Sequence, residues 1–272
     1  MDIFEALVLG IVQGAAEFLP ISSSGHLVLV PWWLGWENPP LIFDVTVHVG
    51  TALAVLAYFW REWIRIIGAG LNMIRKRAIT TDDERLAFYL VVANIPVGIV
   101  GLLLDDLFES TFSDVAIVAS MLLVTAGLLF SSERFSKVGK SLPELKLPDV
   151  MVIGLAQALA IMPGISRSGS TIAAGLWRNL SREDAAHFSF LLATPIIIAA
   201  GLKQVAEALT TDGAFDEASV TALLVGFVAS TLVGYACIAL LLQLVRRRPL
   251  YIFVVYCAAF GLTTLAAILI RG

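Results

Sequence analysis

Residues 10–26 read GIVQGAAEFLPISSSGH and residues 154–170 read GLAQALAIMPGISRSGS, one motif written twice at a constant offset of 144 residues. Without a gap, Gly10 matches Gly154, Gln13 matches Gln157, Ala16 matches Ala160, Ile21 matches Ile165, Ser22 matches Ser166, Ser24 matches Ser168 and Gly25 matches Gly169. The chain is a duplicated half. The copies differ in their chemical groups: Glu17 and His26 occur only in the first, Arg167 only in the second. A site composed of both copies would hold a carboxylate, an imidazole, a guanidinium and several hydroxyls.

The composition sets the solvent. Of 272 residues, 58% are hydrophobic and 15% charged, with mean hydropathy +0.88, against about 25% charged in soluble domains. We expect an all-α integral membrane protein, a single membrane domain over 1–272 with repeat halves of about 1–135 and 150–272. No run of like charge offers a nucleic-acid surface. Cys237 and Cys257 lie in apolar stretches without metal or disulfide spacing and read as small core residues. The first twenty residues lack a basic start and carry Asp2, Glu5 and Glu17, so the N-terminus is expected to be retained.

Six apolar segments, near 44–60, 86–104, 115–130, 184–204, 218–245 and 251–270, are long enough to cross a hydrocarbon core of about 30 Å. The motif regions, 4–36 and 150–180, are broken midway by Pro, Gly and Ser. Pro20 and Pro163-Gly164 end their first arms, because proline lacks an amide donor and disfavours helix in the residue before it. Each motif reads as a re-entrant helix hairpin. One hairpin plus three spans per half gives an odd number of crossings, so the halves are expected to be inverted. Basic residues in 61–85, in the linker at Arg134, Lys137, Lys140 and Lys146, and at Arg246, Arg247 and Arg248 place those loops inside. The acidic loops 105–114 and 205–217, and both termini, are then outside. Opposed hairpins would bring their tips together near the midplane, where such folds bind substrates.

Irregular backbone at membrane depth needs a polar cavity to satisfy it, and this one suits an anion. Each second arm is expected to begin just after Ser-Gly, presenting free amides and the positive end of its dipole. Ser22, Ser23, Ser24, Ser166, Ser168, Ser170 and Thr171 add hydroxyls, Gly25 adds backbone, and Arg167 adds a two-pronged phosphate ligand. An arginine at membrane depth costs about 2.5 to 3.5 kcal/mol, which argues for a function. Glu17 could act chemically or only pair with Arg167, and His26 could act or merely cap. Gln13 lies one turn before Glu17 on the same face, and together they could hold a divalent cation. His48 and His187 read as interfacial, Asp44 as a solvated cap, and Trp32, Trp33, Trp36 and Trp60 as belt residues. A phosphoryl hydrolase and a transporter of a phosphate-bearing lipid both fit.

The motifs Gln13-x-x-x-Glu17, Pro20-x-Ser-Ser-Ser-Gly-His26 and Pro163-Gly-Ile-Ser-Arg-Ser-Gly-Ser-Thr171 resemble the signatures of the bacterial undecaprenyl pyrophosphate phosphatase family of the BacA type, across the whole chain. That resemblance implies hydrolysis of undecaprenyl pyrophosphate to undecaprenyl phosphate and phosphate, which recycles the lipid carrier of peptidoglycan synthesis and is associated with bacitracin resistance. It implies a multi-pass protein of the bacterial inner membrane, among membrane lipids, with a site open to the outer face; a homodimer is left open. The active-site residues it implies are Glu17, Ser23, His26, Ser166 and Arg167, with a divalent ion, magnesium (Mg2+) or calcium (Ca2+). The family's first motif position holds Glu or Gln, so Gln13 is a permitted variant that weakens a two-carboxylate metal site. For attack, Ser23 with His26 as general base stands beside direct attack by water or by His26.

Overall fold

A computed structural model describes residues 1–103, 114–137, 139–210 and 219–271. The described residues form eleven α-helices and one 3-10 turn at Leu142–Glu144. Among them β structure is limited to an isolated bridge between Lys140 and Leu180.

The first hairpin consists of α1 (Ile3–Phe18) and α2 (Ser23–Leu34). A capping box starts α1: the Glu5 amide donates to the Asp2 carboxylate at 2.7 Å, and the Asp2 amide to Glu5 at 2.9 Å. It stops before Pro20, and α2 ends on Gly35 in the left-handed conformation. Four helices follow: α3 (Leu41–Tyr58), α4 (Trp60–Lys76), α5 (Asp82–Leu103) and α6 (Val115–Phe135). The second hairpin is α7 (Leu147–Leu159) and α8 (Arg167–Trp177), followed by α9 (Arg182–Thr210), α10 (Val220–Val245) and α11 (Tyr251–Arg271). The hairpin arms have 16, 12, 13 and 11 residues. At ~1.5 Å per residue none reaches ~30 Å. Helices α3, α5, α6, α9, α10 and α11 are the six long and apolar enough to cross a membrane.

The basic stretch 61–85, expected to be a loop, is mostly filled by α4. Ile64, Ile67, Leu71 and Ile74 lie along one exposed apolar stripe while Arg61, Arg65, Arg75 and Lys76 interrupt it in sequence. That periodicity makes a surface helix, whereas a hydropathy average makes a loop. The acidic loops expected outside fall largely on 104–113 and 211–218, outside the described residues.

Close helix approach locks the two repeats together. A Cβ on Gly10 of α1 would lie 2.7 Å from the Gly226 carbonyl of α10, and one on Gly154 of α7 would lie 2.6 Å from the Ala93 carbonyl of α5. Gly10 and Gly154 are repeat equivalents, and each lays its first arm against the second span of the other half. Small residues permit this contact where lipid supplies no hydrophobic drive. Cys237 and Cys257 are free and buried in this core.

Candidate active site

The two hairpin tips meet. At the first, Ser22 takes φ +74°, an uncommon value for a residue with a side chain, and its hydroxyl accepts from the Gly25 amide at 3.3 Å. At the second, Gly164 takes φ +86°, and a Cβ there would sit 2.4 Å from the Val118 carbonyl, so only glycine fits. The Thr125 hydroxyl, from α6, donates to the Gly164 carbonyl at 3.1 Å and accepts from the Ser166 amide at 2.9 Å. Ser168 fastens one tip to the other by donating to the Leu19 carbonyl at 3.1 Å.

Both second arms start earlier than expected, at Ser23 and Arg167 rather than after Ser-Gly. The serines at 22 and 166 take the N-cap and consume the amides of Gly25 and Gly169. Gly25 therefore has no amide to give an anion. The amides of Ser23, Ser24, Arg167 and Ser168 stand at the first turns, and none donates a hydrogen bond among the described residues. Two helix N-termini, one from each repeat, thus offer unpartnered donors.

Around them lies a cavity of about 270 Å³ lined by Glu17, Ser22, Ser23, Ser24, Ser166 and Arg167 on its polar side. Arg167 Nη2 donates to Glu17 Oε1, and Ser23 Oγ donates to Glu17 Oε2. Gln13 Nε2 also reaches Glu17 Oε2, at 3.2 Å. The carboxylate is thus held by three donors from both repeats. A second guanidinium nitrogen, Arg167 Nη1, is buried without a partner among the described residues, a donor left over for a ligand. The opposite wall is apolar, with Val97 of α5 and Ile196, Ile197 and Ala200 of α9.

Not every candidate residue reaches this cavity. Among the described residues, Gln13, Gly25, His26, Ser168, Ser170 and Thr171 are absent from its lining. His26 has both ring nitrogens engaged, Nδ1 with the Ser22 carbonyl and Nε2 with the Tyr256 hydroxyl, each at 2.7 Å. Thr171 bonds the Arg167 carbonyl at 2.8 Å and Ser189 at 2.6 Å. The Ser170 hydroxyl is buried without a partner among the described residues.

Two polar lining residues are not among the candidate site groups read from the sequence: His48 lies outside the motifs, and Gln157 stands in the second motif as the repeat equivalent of Gln13. His48, expected at the interface, faces the cavity from α3, and Gln157 faces it from α7 with its amide fixed by Asn94 at 3.0 Å. Asp44 is no solvated cap, since its Oδ1 is buried without a partner among the described residues and Pro40 holds the cap position. His187 bonds Glu62 at 2.8 Å in a separate pocket beside α4.

No group of three or more His, Cys, Asp or Glu gathers among the described residues to cage a metal ion. One feature fits a hard cation nonetheless: Gln13 Oε1 is buried and, among the described residues, unpartnered next to the Glu17 carboxylate. Magnesium is commonly held by one or two carboxylates with substrate phosphates and water completing the shell. A donor set of Glu17 and Gln13 fits that pattern.

The family model described as bacitracin resistance protein BacA matches residues 6–263. The chain is similar to the undecaprenyl-diphosphatase of Desulforudis audaxviator (strain MP104C), at 45% identity over 272 residues and 100% of both chains. It is similar to that of Pelotomaculum thermopropionicum at 44% identity, covering 97% of this chain and 96% of the relative. For the undecaprenyl-diphosphatase of Methanosphaera stadtmanae the identity is 42%, with 97% and 98% covered.

Proposed function

The chain belongs to the bacitracin resistance protein BacA family, and on that premise we propose that it is an undecaprenyl-diphosphatase whose two hairpin tips form one hydrolytic site. The observation that carries this reading is the junction of Glu17, Ser23 and Arg167, drawn from both repeats, on a cavity with one polar and one apolar wall. A soluble phosphate ester needs no apolar wall. A lipid diphosphate does, and in this reading the apolar side chains of α5 and α9 receive the isoprenoid.

In this reading the terminal phosphoryl group lies between the free amides of Ser23, Ser24 and Arg167, with the Arg167 fork and the Ser22 and Ser166 hydroxyls around it. Phosphoryl transfer needs mainly positioning and charge neutralisation. Ser23 Oγ attacks the terminal phosphorus, its proton passes to Glu17 Oε2, and the bond to the bridging oxygen breaks with its electron pair leaving on undecaprenyl phosphate. As Glu17 takes up that proton it ceases to neutralise Arg167, whose charge becomes fully available to the transferring oxygens. Water then attacks the phosphoserine and releases phosphate. His26, with both nitrogens engaged, is a positioning residue that fixes the Ser22 carbonyl and hence the start of α2. Glu17 and Gln13 would hold a magnesium or calcium ion; when bound, it supplies charge neutralisation on the diphosphate.

The same reading takes the fold as one membrane domain of two inverted repeats. What supports it is the odd number of spans per half and the reciprocal packing of α1 on α10 and α7 on α5. In this arrangement Arg75, Lys76 and Arg77, and Arg246, Arg247 and Arg248, lie on the cytoplasmic face of the bacterial inner membrane, the side that basic residues favour. Both termini are then outside and the site opens outward. A complete set of groups comes from one chain, so a homodimer would add nothing to the chemistry.

The test is phosphate release from undecaprenyl pyrophosphate by the purified protein in detergent, with and without EDTA, for the wild type, Arg167→Ala and Glu17→Gln. Metal-dependent release lost in both variants is expected. Absence of release from folded wild-type protein would overturn the hydrolytic reading and favour transport of the lipid.

A further inference from the structure

The chain contains three histidines, and the structure sorts them. His26 has no free nitrogen. His187 pairs with Glu62 away from the cavity. His48 lines the cavity, and its Nδ1 lies 2.7 Å from the Asp44 carbonyl, the hydrogen-bond step of one turn within α3.

That single contact decides the character of the ring. A carbonyl can only accept, so Nδ1 carries the hydrogen and donates it. In the neutral ring Nε2 is then a bare lone pair. Nε2 has no hydrogen-bond partner among the described residues. The rotation of the ring about α3 is held by packing as well: Gly50, half a turn along, sits so near α10 that a Cβ would meet the Phe227 carbonyl at 2.8 Å. A proton acceptor of fixed tautomer is thus presented to the same cavity as Ser23 and Arg167.

Hydrolysis of the phosphoserine needs such an acceptor. Glu17 Oε2 is taken by the Ser23 hydroxyl, so the carboxylate serves the first step. In the second step water must attack phosphorus and shed a proton, which calls for a group other than Glu17 to orient it. We infer that His48 is a further catalytic residue, whose Nε2 orients that water and takes its proton. The water oxygen forms the new bond to phosphorus, the bond from phosphorus to Ser23 Oγ breaks with its electron pair returning to Oγ, and the water proton goes to Nε2. The proton that Glu17 took up in the first step returns to Oγ. Gln157, whose buried Oε1 is unpartnered among the described residues on the same cavity, offers a second acceptor.

This inference rests on the hydrolytic reading, and the experiment separates the two. Undecaprenyl pyrophosphate turnover is measured for wild type, His48→Ala and His48→Gln, with and without added imidazole, alongside thermal unfolding in detergent. His48→Ala is expected to lose about 100-fold in kcat with KM nearly unchanged, and to regain activity as imidazole enters the vacated space. His48→Gln, which can accept a hydrogen bond without taking a proton, should fall between them. If His48→Ala does not fold, His48→Gln is the variant to read, and a kcat at least about tenfold below wild type is required. A kcat near wild type, a loss confined to KM, or a loss that imidazole does not restore would each overturn the role of His48 while leaving the hydrolytic reading intact. An inactive wild type would take down both.

Discussion

Arg167 at the start of α8 donates to Glu17 at the end of α1, joining two residues 150 positions apart across the repeat boundary. The pair is largely shielded, with 17% of the Arg167 side chain and 6% of that of Glu17 exposed. Removing one partner strands the other, at a cost of about 3 kcal/mol. In the proposed mechanism the pair has a catalytic role as well as this structural one, and a single substitution confounds the two. Arg167→Ala is expected to lower both the unfolding temperature and kcat, the latter by about 10³-fold. The double variant Glu17→Gln/Arg167→Gln should recover much of the stability and none of the activity. Recovery of turnover in the double variant would mean that the pair is only a brace.

Ser23, Ser24 and Ser22 are adjacent in sequence but not in role. Ser22 is spent on capping, Ser24 lies 3.4 Å from Ser22 Oγ, and Ser23 alone among them donates to Glu17. Ser23→Ala should lose about 10³-fold or more in kcat, and Ser24→Ala only a few-fold. Rapid quenching of wild-type protein during turnover, followed by peptide mapping, should place phosphate on Ser23. Label on His26, or a Ser23→Ala variant as active as wild type, would sink the serine nucleophile.

Much of this is legible in the sequence for local reasons. Pro20, Pro163 and Gly164 act on their own backbone, and a span is recognised by length and composition, so the hairpins and six membrane helices can be placed without tertiary knowledge. The rest depends on rotation and packing. Whether His48 faces lipid or cavity depends on how Gly50 and Val47 seat α3 against α10, which no periodicity within α3 encodes. The helix starts at Ser23 and Arg167 are set by competition among neighbouring serines for one cap. Thr125 and Asn94, which hold the second tip and Gln157, lie in apolar spans where a lone polar residue gives no partner away. For α4 the signal is present, as the Ile64, Ile67, Leu71, Ile74 spacing, but the arginines between them hide it.

The reciprocal glycine contacts bear on stability directly. A methyl group at Gly154 would meet the Ala93 backbone carbonyl, which cannot swing aside. Gly154→Ala is expected to cost about 1 to 3 kcal/mol by overpacking, read as a lower unfolding temperature, and Gly10→Ala should match it against Gly226. Gly127 in α6 has open space around its Cβ position, so Gly127→Ala should be neutral or slightly stabilising through helix propensity. Equal behaviour of Gly154→Ala and Gly127→Ala would contradict the close approach of α7 to α5.

His26 is held between Ser22 and Tyr256, with the Phe260 ring centroid 5.1 Å away. A residue so engaged should act through position. Tyr256→Phe removes one hydrogen bond and should cost about 1 kcal/mol with a kcat change of only a few-fold. His26→Ala should lower stability and kcat together, and imidazole should restore neither. Rescue of His26→Ala by imidazole, with wild-type stability, would make His26 the proton acceptor.

In the proposed mechanism Gln13 sets how activity would depend on a divalent ion. One carboxylate and one amide oxygen form a weak protein-side site, so most of the ion's ligands must come from the diphosphate and water. Binding of the ion is then expected to require substrate: calorimetry with magnesium or calcium alone should show little heat, and EDTA should abolish turnover without lowering the unfolding temperature. Gln13→Glu puts a second carboxylate where the unpartnered Oε1 now lies. Higher ligand charge tightens hard-cation sites by orders of magnitude, so this variant should reach half-maximal activity at roughly tenfold lower metal concentration. It should also bind the ion without substrate, because two adjacent carboxylates repel one another until a cation lies between them. An unchanged metal requirement in Gln13→Glu would place the ion away from Glu17, and the amide of Gln13 would then serve only to orient that carboxylate.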